Sequence, residues 1–386
     1  MDFRLSEDQL ALQAAAREFA RGEMLEVAEE LERDAAPLSR DWVKKYAGMG
    51  FLGINVSTEY GGLGLGNVDA FLVLEEFAKV SSAVGFPIFE SVAGPVHALA
   101  HFATDSVKQR VIPAVCKGEL IVAVAMSEPE AGTALTDLRT KGEIKDDRIV
   151  INGAKRWCSG GGHSDTYLVY CRLSDAPGAK GIGAVLVDKD TPGMTFGEPE
   201  RLMGFRGIPD SDLYFDNVEV PIEHLVVPAG GFPKLMQAFD LERCGNATMA
   251  LGQASGALEE ALAWVQEREQ FGKPIVEFQA VQLKLAEMAM RVEASRLLIY
   301  RAAQNAENGL PSIADSSIAK CVANESAREV TSAGVQLMGG YGYSKDYPME
   351  RRMRDAWGWG IAGGTIDIQK VNIASALVGR RFNQRR

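Results

Sequence analysis

Residues 120–126 read Leu-Ile-Val-Ala-Val-Ala-Met, and four similar runs follow, at 148–153 (RIVING), 167–172 (YLVYCR), 181–188 (GIGAVLVD) and 211–220 (SDLYFDNVEV). Short, rich in β-branched and aromatic residues and separated by turns, they predict a small, mostly antiparallel β-domain. On both sides the texture is helical. Ser6 with Gln9 has the form of a capping box, and Leu10, Leu12, Ala16, Phe19 and Ala20 recur roughly on one face. Further helical runs are expected at about 41–49 and 68–80, then at 233–268, 276–308 and 312–338, followed by a glycine-rich turn and a last helix. Helices flanking a block of strands do not build an alternating parallel sheet, so a Rossmann or barrel fold is disfavoured and the class is α+β. The domains are expected at 1–119 (helical), 120–230 (β) and 231–386 (helical).

The 386 residues, 46% hydrophobic and 24% charged, suffice for two or three domains with a large core. A net charge of -11 argues against a general nucleic-acid binder, since that affinity rests on clustered Lys and Arg. The five cysteines and four histidines show neither CxxC pairs nor ligand spacing, so neither a metal centre nor a disulfide framework is expected. The opening MDFRLSEDQL lacks a basic stretch followed by an apolar run, and no window holds about 18 consecutive apolar residues. A cytoplasmic protein without a membrane anchor is expected.

Four segments are rich in glycine or loop polar groups. Glu59-Tyr-Gly-Gly-Leu-Gly-Leu-Gly66 reads as a surface turn, because no strand precedes it as a dinucleotide fingerprint requires. Ala125-Met-Ser-Glu-Pro-Glu-Ala-Gly-Thr133 follows a strand and offers hydroxyls and backbone N–H groups; it is either a capped turn or a cradle for polar ring edges and phosphates. Lys155-Arg-Trp-Cys-Ser-Gly-Gly-Gly-His163 sets an indole and a hydroxyl beside glycines that permit close approach, although a Trp can equally be sheet packing. Gln336-Leu-Met-Gly-Gly-Tyr-Gly-Tyr-Ser-Lys-Asp346 is followed by Arg351, Arg354, Asp355 and Gly363-Gly-Thr365, the last a helix start able to bind an anion.

In this order and spacing the last three segments resemble the acyl-CoA dehydrogenase family, from Leu5 nearly to the end. The first is similar to its Ser-Glu-Pro-x-Ala-Gly-Thr signature and the last to its C-terminal signature. Between them Arg268-Glu-Gln-Phe-Gly-Lys-Pro-Ile275 with Phe278-Gln279 is similar to its Arg-x-x-Phe-Gly element. The resemblance implies an N-terminal helical domain, a central β-domain, a C-terminal four-helix bundle, bound FAD and a homotetramer built as a dimer of dimers. It places Ser127, Thr133, Trp157 and Ser159 along the flavin, Ser159 near N5 and Trp157 against the ring. It sends Arg268, Phe271, Gln279 and Gln336 to Gly340, with Gly339, to the pyrophosphate and adenosine across a subunit contact. A guanidinium suits phosphate oxygens, while its bland reading is a solvated helix charge. Thr365 and Asp367 also match cofactor-side positions.

The implied reaction removes an alpha proton while the beta hydrogen leaves as hydride, which requires a desolvated carboxylate and hydrogen bonds to the thioester carbonyl. Most family members carry the base directly before the Gly-Thr of the last motif, where this chain has Gly363. A subset resembling isovaleryl-CoA and long-chain dehydrogenases takes it from an earlier helix, and Phe239-Asp-Leu-Glu-Arg243 puts Glu242 there. The competing reading of Glu242 is a solvated ion pair. Asp240, Arg243 and Thr133 match substrate-side positions, and Gly364 a carbonyl-side contact. Ala134 stands where the family commonly has Asp, and Asp367 where it has Gln.

Small residues at Ala362 and Gly363 suggest a short, branched or cyclic acyl group. Gly85-Phe-Pro-Ile-Phe-Glu-Ser91 is expected to line the acyl pocket through Phe86 and Glu90, the latter a possible second base or polar contact. Three glycines after the Trp, Arg206-Gly-Ile-Pro209 and Ile361-Ala-Gly-Gly-Thr365 also resemble a desulfinase of 3-sulfinopropionyl-CoA, whose Arg and Gln are replaced here by Phe86 and Glu242. An enoyl-CoA reductase and a non-catalytic CoA- or flavin-binding subunit are the remaining alternatives. The implied electron acceptor is an electron-transfer flavoprotein.

Overall fold

A computed structural model describes residues 4–382; Met1–Phe3 of the opening segment lie outside them. Seven helices come first: α1 (Glu7–Glu23), α2 (Leu25–Asp34), α3 (Arg40–Gly48), α4 (Asn67–Val80), α5 (Ser82–Val92), α6 (Pro95–Phe102) and α7 (Asp105–Cys116). Ser6 and Gln9 form the reciprocal capping box at α1, each side chain meeting the other's backbone N–H. Strands follow: β1 (Val122–Ala125), β2 (Lys141–Lys145), β3 (Arg148–Ser159), β4 (Thr166–Arg172), β5 (Ile182–Asp188), β6 (Met194–Phe196), β7 (Asp210–Pro221) and β8 (Leu225–Val227). Then come α8 (Phe232–Glu267), a small hairpin of β9 (Glu269–Gln270) and β10 (Lys273–Pro274), α9 (Gln279–Gln304), α10 (Ile313–Met338), α11 (Gly340–Tyr343), α12 (Met349–Trp359) and α13 (Ile366–Val378).

The large sheet runs β6-β7-β3-β2-β4-β5-β8, with β1 on β4. It is antiparallel except where β4 meets β1 and, through one residue pair, β2. Alternation along β4 and β5 explains its two faces. Leu168, Tyr170, Ala184 and Leu186 pack under α6, α7 and the start of α8, whereas Tyr167, Val169, Val185 and Val187 fill the interior against β3 and β7.

The two helical regions share one core, in which Phe19, Tyr46 and Phe77 of the first meet Leu241, Ala254 and Val330 of the second. α8, α9 and α10 pack on one another, α13 lies along α10, and α12 crosses α8 and α10. The bundle is as expected; α2, α5, α6, α7 and α11 and strands β2, β6, β8, β9 and β10 add to the elements predicted, and two helices, α12 and α13, stand where one last helix was expected. One apolar stretch, Ser82–Phe102, is long enough to cross a membrane by composition, but 89% of that window is buried inside the molecule as α5 and α6.

Close approach of α4 and α8 depends on Gly252, where a Cβ would fall 2.8 Å from the carbonyl carbon of Ala78 and 3.0 Å from Lys79 N. Both neighbours are backbone and cannot swing aside. Gly252→Ala should therefore destabilise by about 1–3 kcal/mol, the usual overpacking cost, despite alanine's better helix propensity. The midpoint of denaturant unfolding reports this directly; an unchanged midpoint would mean the helices separate freely.

Candidate active site

The turn after β1 is fastened to β3. Ser127 O accepts from Arg156 N at 2.9 Å, and the fully buried Lys155 ammonium donates to Met126 O at 3.0 Å and Glu128 Oε1 at 2.8 Å. Glu128 also receives Arg139 N and Thr140 N, so Lys155 and two N–H groups pull its carboxyl below the ordinary range against the opposing effect of burial. Glu128→Gln should cost about 3–5 kcal/mol by stranding the Lys155 charge, read as a lowered thermal midpoint.

Ser127 is half-buried in this turn and Thr133 is exposed at its end. Pairing of β3 with β7 slips between Lys155 and Cys158, and Trp157 takes φ 58° in that irregularity. The slip turns the indole outward, 51% exposed, with the Arg156 guanidinium 4.1 Å from its ring centre. Two residues on, Ser159 Oγ donates to Asp210 Oδ2 at 3.3 Å. An open indole beside half-free hydroxyls suits a flat, polar-edged ring. Asp210 was not singled out in the sequence: an acid after Pro209 carries no pattern. Its Oδ1 is buried without a hydrogen-bond partner, and burial pushes the carboxyl up to about 7.

A cleft of about 790 Å³ lies at the far end of the bundle, lined by Arg268, Gln336, Gly339 and Gly340 together with Trp264 and Tyr341. Gly339 ends α10 with φ 60°, and neither glycine has a side-chain position crowded by neighbours, which leaves exposed backbone for a ligand. Phe271, in the β9–β10 turn, is 94% exposed, and Gln279 is exposed at the start of α9. Neither lines the cleft, so of the residues expected at the pyrophosphate and adenosine, Arg268 and the whole run Gln336 to Gly340 come together while Phe271 and Gln279 stand apart.

Glu242 rides on α8, whose middle is enclosed by α4, α9, α10 and α12. Burial raises its carboxyl to about 8, opposed by the cations Lys320 and Arg243. Glu90 of α5 is 7% exposed with Oε2 unpartnered, and burial followed by the Glu242 charge holds it well above the ordinary value. The structure thus brings the two expected carboxyls into one electrostatic neighbourhood. Phe86 is buried one turn earlier on α5, its ring stacked on Phe89 at 5.8 Å. It lines a small cavity, about 20 Å³, with Glu90, Ile121 and Gly160.

Asp240 is occupied: its Oδ1 accepts from Arg243 Nη1 and from Ser316 Oγ at 2.9 Å, which leaves Arg243 Nε unpartnered and buried. Gly363 has φ 66°, and a Cβ there would meet Lys320 Nζ at 3.0 Å and Asn246 Nδ2 at 3.6 Å. Gly364, at φ 85°, accepts Gln369 Nε2 on its carbonyl at 3.1 Å and keeps its surface exposed. Thr365 caps α13 through its side chain, and Asp367 in the first turn is exposed. Lys320 and Asn246 carried no sequence signal, since a lysine and an asparagine in helical runs read as solvated faces.

The chain matches family models for the N-terminal, middle and C-terminal domains of acyl-CoA dehydrogenase over residues 6–119, 123–218 and 229–378. It is 36% identical over 379 residues to a short-chain-specific acyl-CoA dehydrogenase of Clostridium acetobutylicum, covering 98% of this chain and all of the relative. It is 37% identical over 393 residues to a 3-sulfinopropanoyl-CoA desulfinase of Paraburkholderia xenovorans, covering 100% and 99%. Among solved structures, a chain from work on the electron transferring flavoprotein of Acidaminococcus fermentans superposes with a TM-score of 0.95 at 37% identity, over 98% of this chain and all of that one.

Proposed function

Because the chain belongs to the acyl-CoA dehydrogenase family, an FAD-dependent family of oxidoreductases, we propose that it dehydrogenates an acyl-CoA between its alpha and beta carbons with Glu242 as the base. The observation that carries the base assignment is a pairing: position 363 is a glycine with no carboxyl to offer, while Glu242 is a half-buried carboxyl held near neutrality. A base works best when its pKa lies near the operating pH.

Ser127, Thr133, Trp157 and Ser159 would hold the flavin, and Arg268, Phe271, Gln279, Gln336, Gly339 and Gly340 would reach the pyrophosphate and adenosine across a subunit contact, with Thr365 and Asp367 also on the cofactor side. Bound FAD supplies the acceptor for the beta hydrogen, taken as hydride. Glu242 takes the alpha proton on its carboxylate oxygen. The backbone at Gly364 would steady the thioester carbonyl, Asp240 and Arg243 would anchor the CoA side, and Phe86 with Glu90 would close the acyl end against water.

A short, branched or cyclic acyl group is favoured by Ala362 and Gly363 and by the short-chain specificity of the Clostridium relative. The electron acceptor is an electron-transfer flavoprotein, consistent with the setting of the Acidaminococcus chain. A homotetramer, built as a dimer of dimers, fits Phe271, which stands bare in one subunit. Desulfination is the second reading, favoured by full-length similarity to that relative. The apolar, ring-stacked Phe86 offers no cation for a sulfinate and weighs against it.

Anaerobic titration of FAD-loaded protein with straight, branched, cyclic and acidic acyl-CoAs tests the reading. Bleaching of the flavin with formation of a 2-enoyl-CoA is expected from at least one, and an oxidised flavin throughout refutes it. Because the base must be ionised and its carboxyl sits at about 8, the rate of flavin reduction should rise with pH through that region. A rate falling over the same range would contradict the assignment.

A further inference from the structure

The hydroxyl of Ser159 is held by a carboxyl that the chemistry described so far does not use. Along the antiparallel pair of β3 and β7, Lys155 stands opposite Leu213, but beyond the irregularity at Arg156 and Trp157 the register has moved by one, so that Ser159 stands opposite Asp210. Without that slip Ser159 would face Pro209, which offers no side-chain acceptor. One bulge therefore turns the Trp157 indole outward and sets an acid across from the hydroxyl beside it.

Asp210 is pinned in place. Its carbonyl accepts Glu200 N at 2.9 Å and Pro209 O accepts Gly160 N at 2.7 Å, while a Cβ at Gly161 would stand 2.9 Å from Ser211 N. The residue is 8% exposed; Oδ2 meets Ser159 Oγ at 3.3 Å, and Oδ1 is buried with no partner. The cation beside it, Arg156 of β3, is engaged elsewhere: it donates to Asp212 at 2.6 Å, pairs with Glu200 at 3.0 Å and lies over Trp157. Cys158 is a thiol that burial keeps protonated, its Sγ donating to Val124 O at 3.3 Å. His163, in the turn after β3, feels Arg40, Asp165 and Lys189. Glu90 of α5, which lines a small cavity with Gly160 and Pro209, is held neutral by burial. Burial, then Glu200 and Asp212, outweigh Ser159 and Arg156 and hold the Asp210 carboxyl at about 7.

A carboxylate only accepts hydrogen bonds, whereas the neutral acid can also donate one. The same pair of oxygens, Ser159 Oγ and Asp210 Oδ2, therefore serves two directions of bonding. Against the carboxylate the serine proton points at Asp210; against the neutral acid Oγ accepts, and its own proton is free for a ligand. We propose that Asp210 is a positioning residue for Ser159: as the neutral acid it directs the hydroxyl proton at the flavin, and as the carboxylate it withdraws that proton. The proposal rests on the reading that places the flavin at Ser159 and is independent of which residue is the base. N5 of an oxidised flavin accepts hydrogen bonds, so the first orientation is the one that serves it. The effect on the rate of flavin reduction is that of one hydrogen bond, about two- to tenfold, which leaves the rise set by Glu242 ionisation in place.

The test uses FAD-loaded protein without any acyl-CoA, and follows the visible flavin absorption against pH. Wild type should show a one-proton step at or above about 7. Asp210→Asn offers an amide N–H to Ser159 Oγ at every pH and should hold the flavin band at its acid position throughout. Ser159→Ala keeps the acid without the hydroxyl and should also abolish the step. A wild-type band without a step, or a step that persists in Asp210→Asn, overturns the proposal. Persistence in Ser159→Ala overturns it too, because Asp210 would then act on the flavin by its charge alone. The infrared C=O band of Asp210, identified by its loss in Asp210→Asn, follows the carboxyl itself in the same proteins. Its midpoint should move up in Ser159→Ala, where the carboxylate loses a hydrogen bond. Protein that retains no FAD sinks the flavin reading and this proposal with it, whereas retained FAD with an unmoved infrared midpoint sinks the Asp210–Ser159 pairing alone.

Discussion

Glu242→Gln should retain FAD and bind acyl-CoA while slowing flavin reduction by roughly 10²–10⁴-fold, the range attributed to a positioned base. The substitution changes one oxygen to an amide and leaves the Asp240–Arg243 pair and the bond from Asn246 to Trp359 O, both made from the same helix, untouched. It also removes the repulsion that helps keep Glu90 neutral. Glu90→Gln should have a much smaller effect, below about tenfold, because its Oε2 has no partner to lose. Stopped-flow mixing of both variants with a substrate found on the acyl-CoA panel separates the two carboxyls. A near-normal rate in Glu242→Gln with a collapse in Glu90→Gln would transfer the role to α5.

The second large effect concerns stability. Glu75 on α4 is 1% exposed and ties three elements together, accepting from Arg296 at 2.7 and 3.2 Å and from Ser255 at 2.9 Å, with Lys79 at 4.0 Å. Burial alone would raise its carboxyl, but Arg296 and Lys79 overcome that, and it lies below the ordinary 4.5. Glu75→Ala should cost about 3–5 kcal/mol, because the buried Lys79 and the half-buried Arg296 are left with fewer partners. The sign with pH follows from the lowered value. The stabilisation is fully present above 4.5 and is lost as pH falls through the lower folded value. Wild type should therefore lose thermal stability on acidification over a window where Glu75→Ala changes less. Equal acid slopes in the two proteins would show that the Glu75 cluster is not ionised.

The block of strands from 120 to 220 was legible because its runs alternate and are bounded by turns, and the long helices α8, α9 and α10 because their length leaves no other element. α5 and α6 were harder to see: with nearly every residue from Ser82 to Leu99 buried, no polar face marks a helical period. β2 was missed for the opposite reason. Its KGEIK is mostly exposed and charged, and it becomes a strand by pairing with β3 through five residues. In the site, Glu242 stood out through its contrast with Gly363, and Trp157 and Ser159 through their glycine-rich setting. Lys320, Asn246 and Asp210 could not, because their roles come from what α10, α8 and β7 bring beside them in space. The family resemblance also groups Phe271 and Gln279 with Arg268, whereas in the folded subunit both are exposed and neither lines the cleft that Arg268 lines.

Proton removal by Glu242 is the central claim, and hydrogen exchange at the alpha carbon tests it without depending on any electron acceptor. FAD-loaded wild type and Glu242→Gln are incubated anaerobically in D₂O with an acyl-CoA that reduces the wild-type flavin, and the recovered thioester is analysed by mass spectrometry. Deuterium at the alpha carbon in wild type and its absence in Glu242→Gln are the predicted result. Equal labelling by the two proteins would contradict the account.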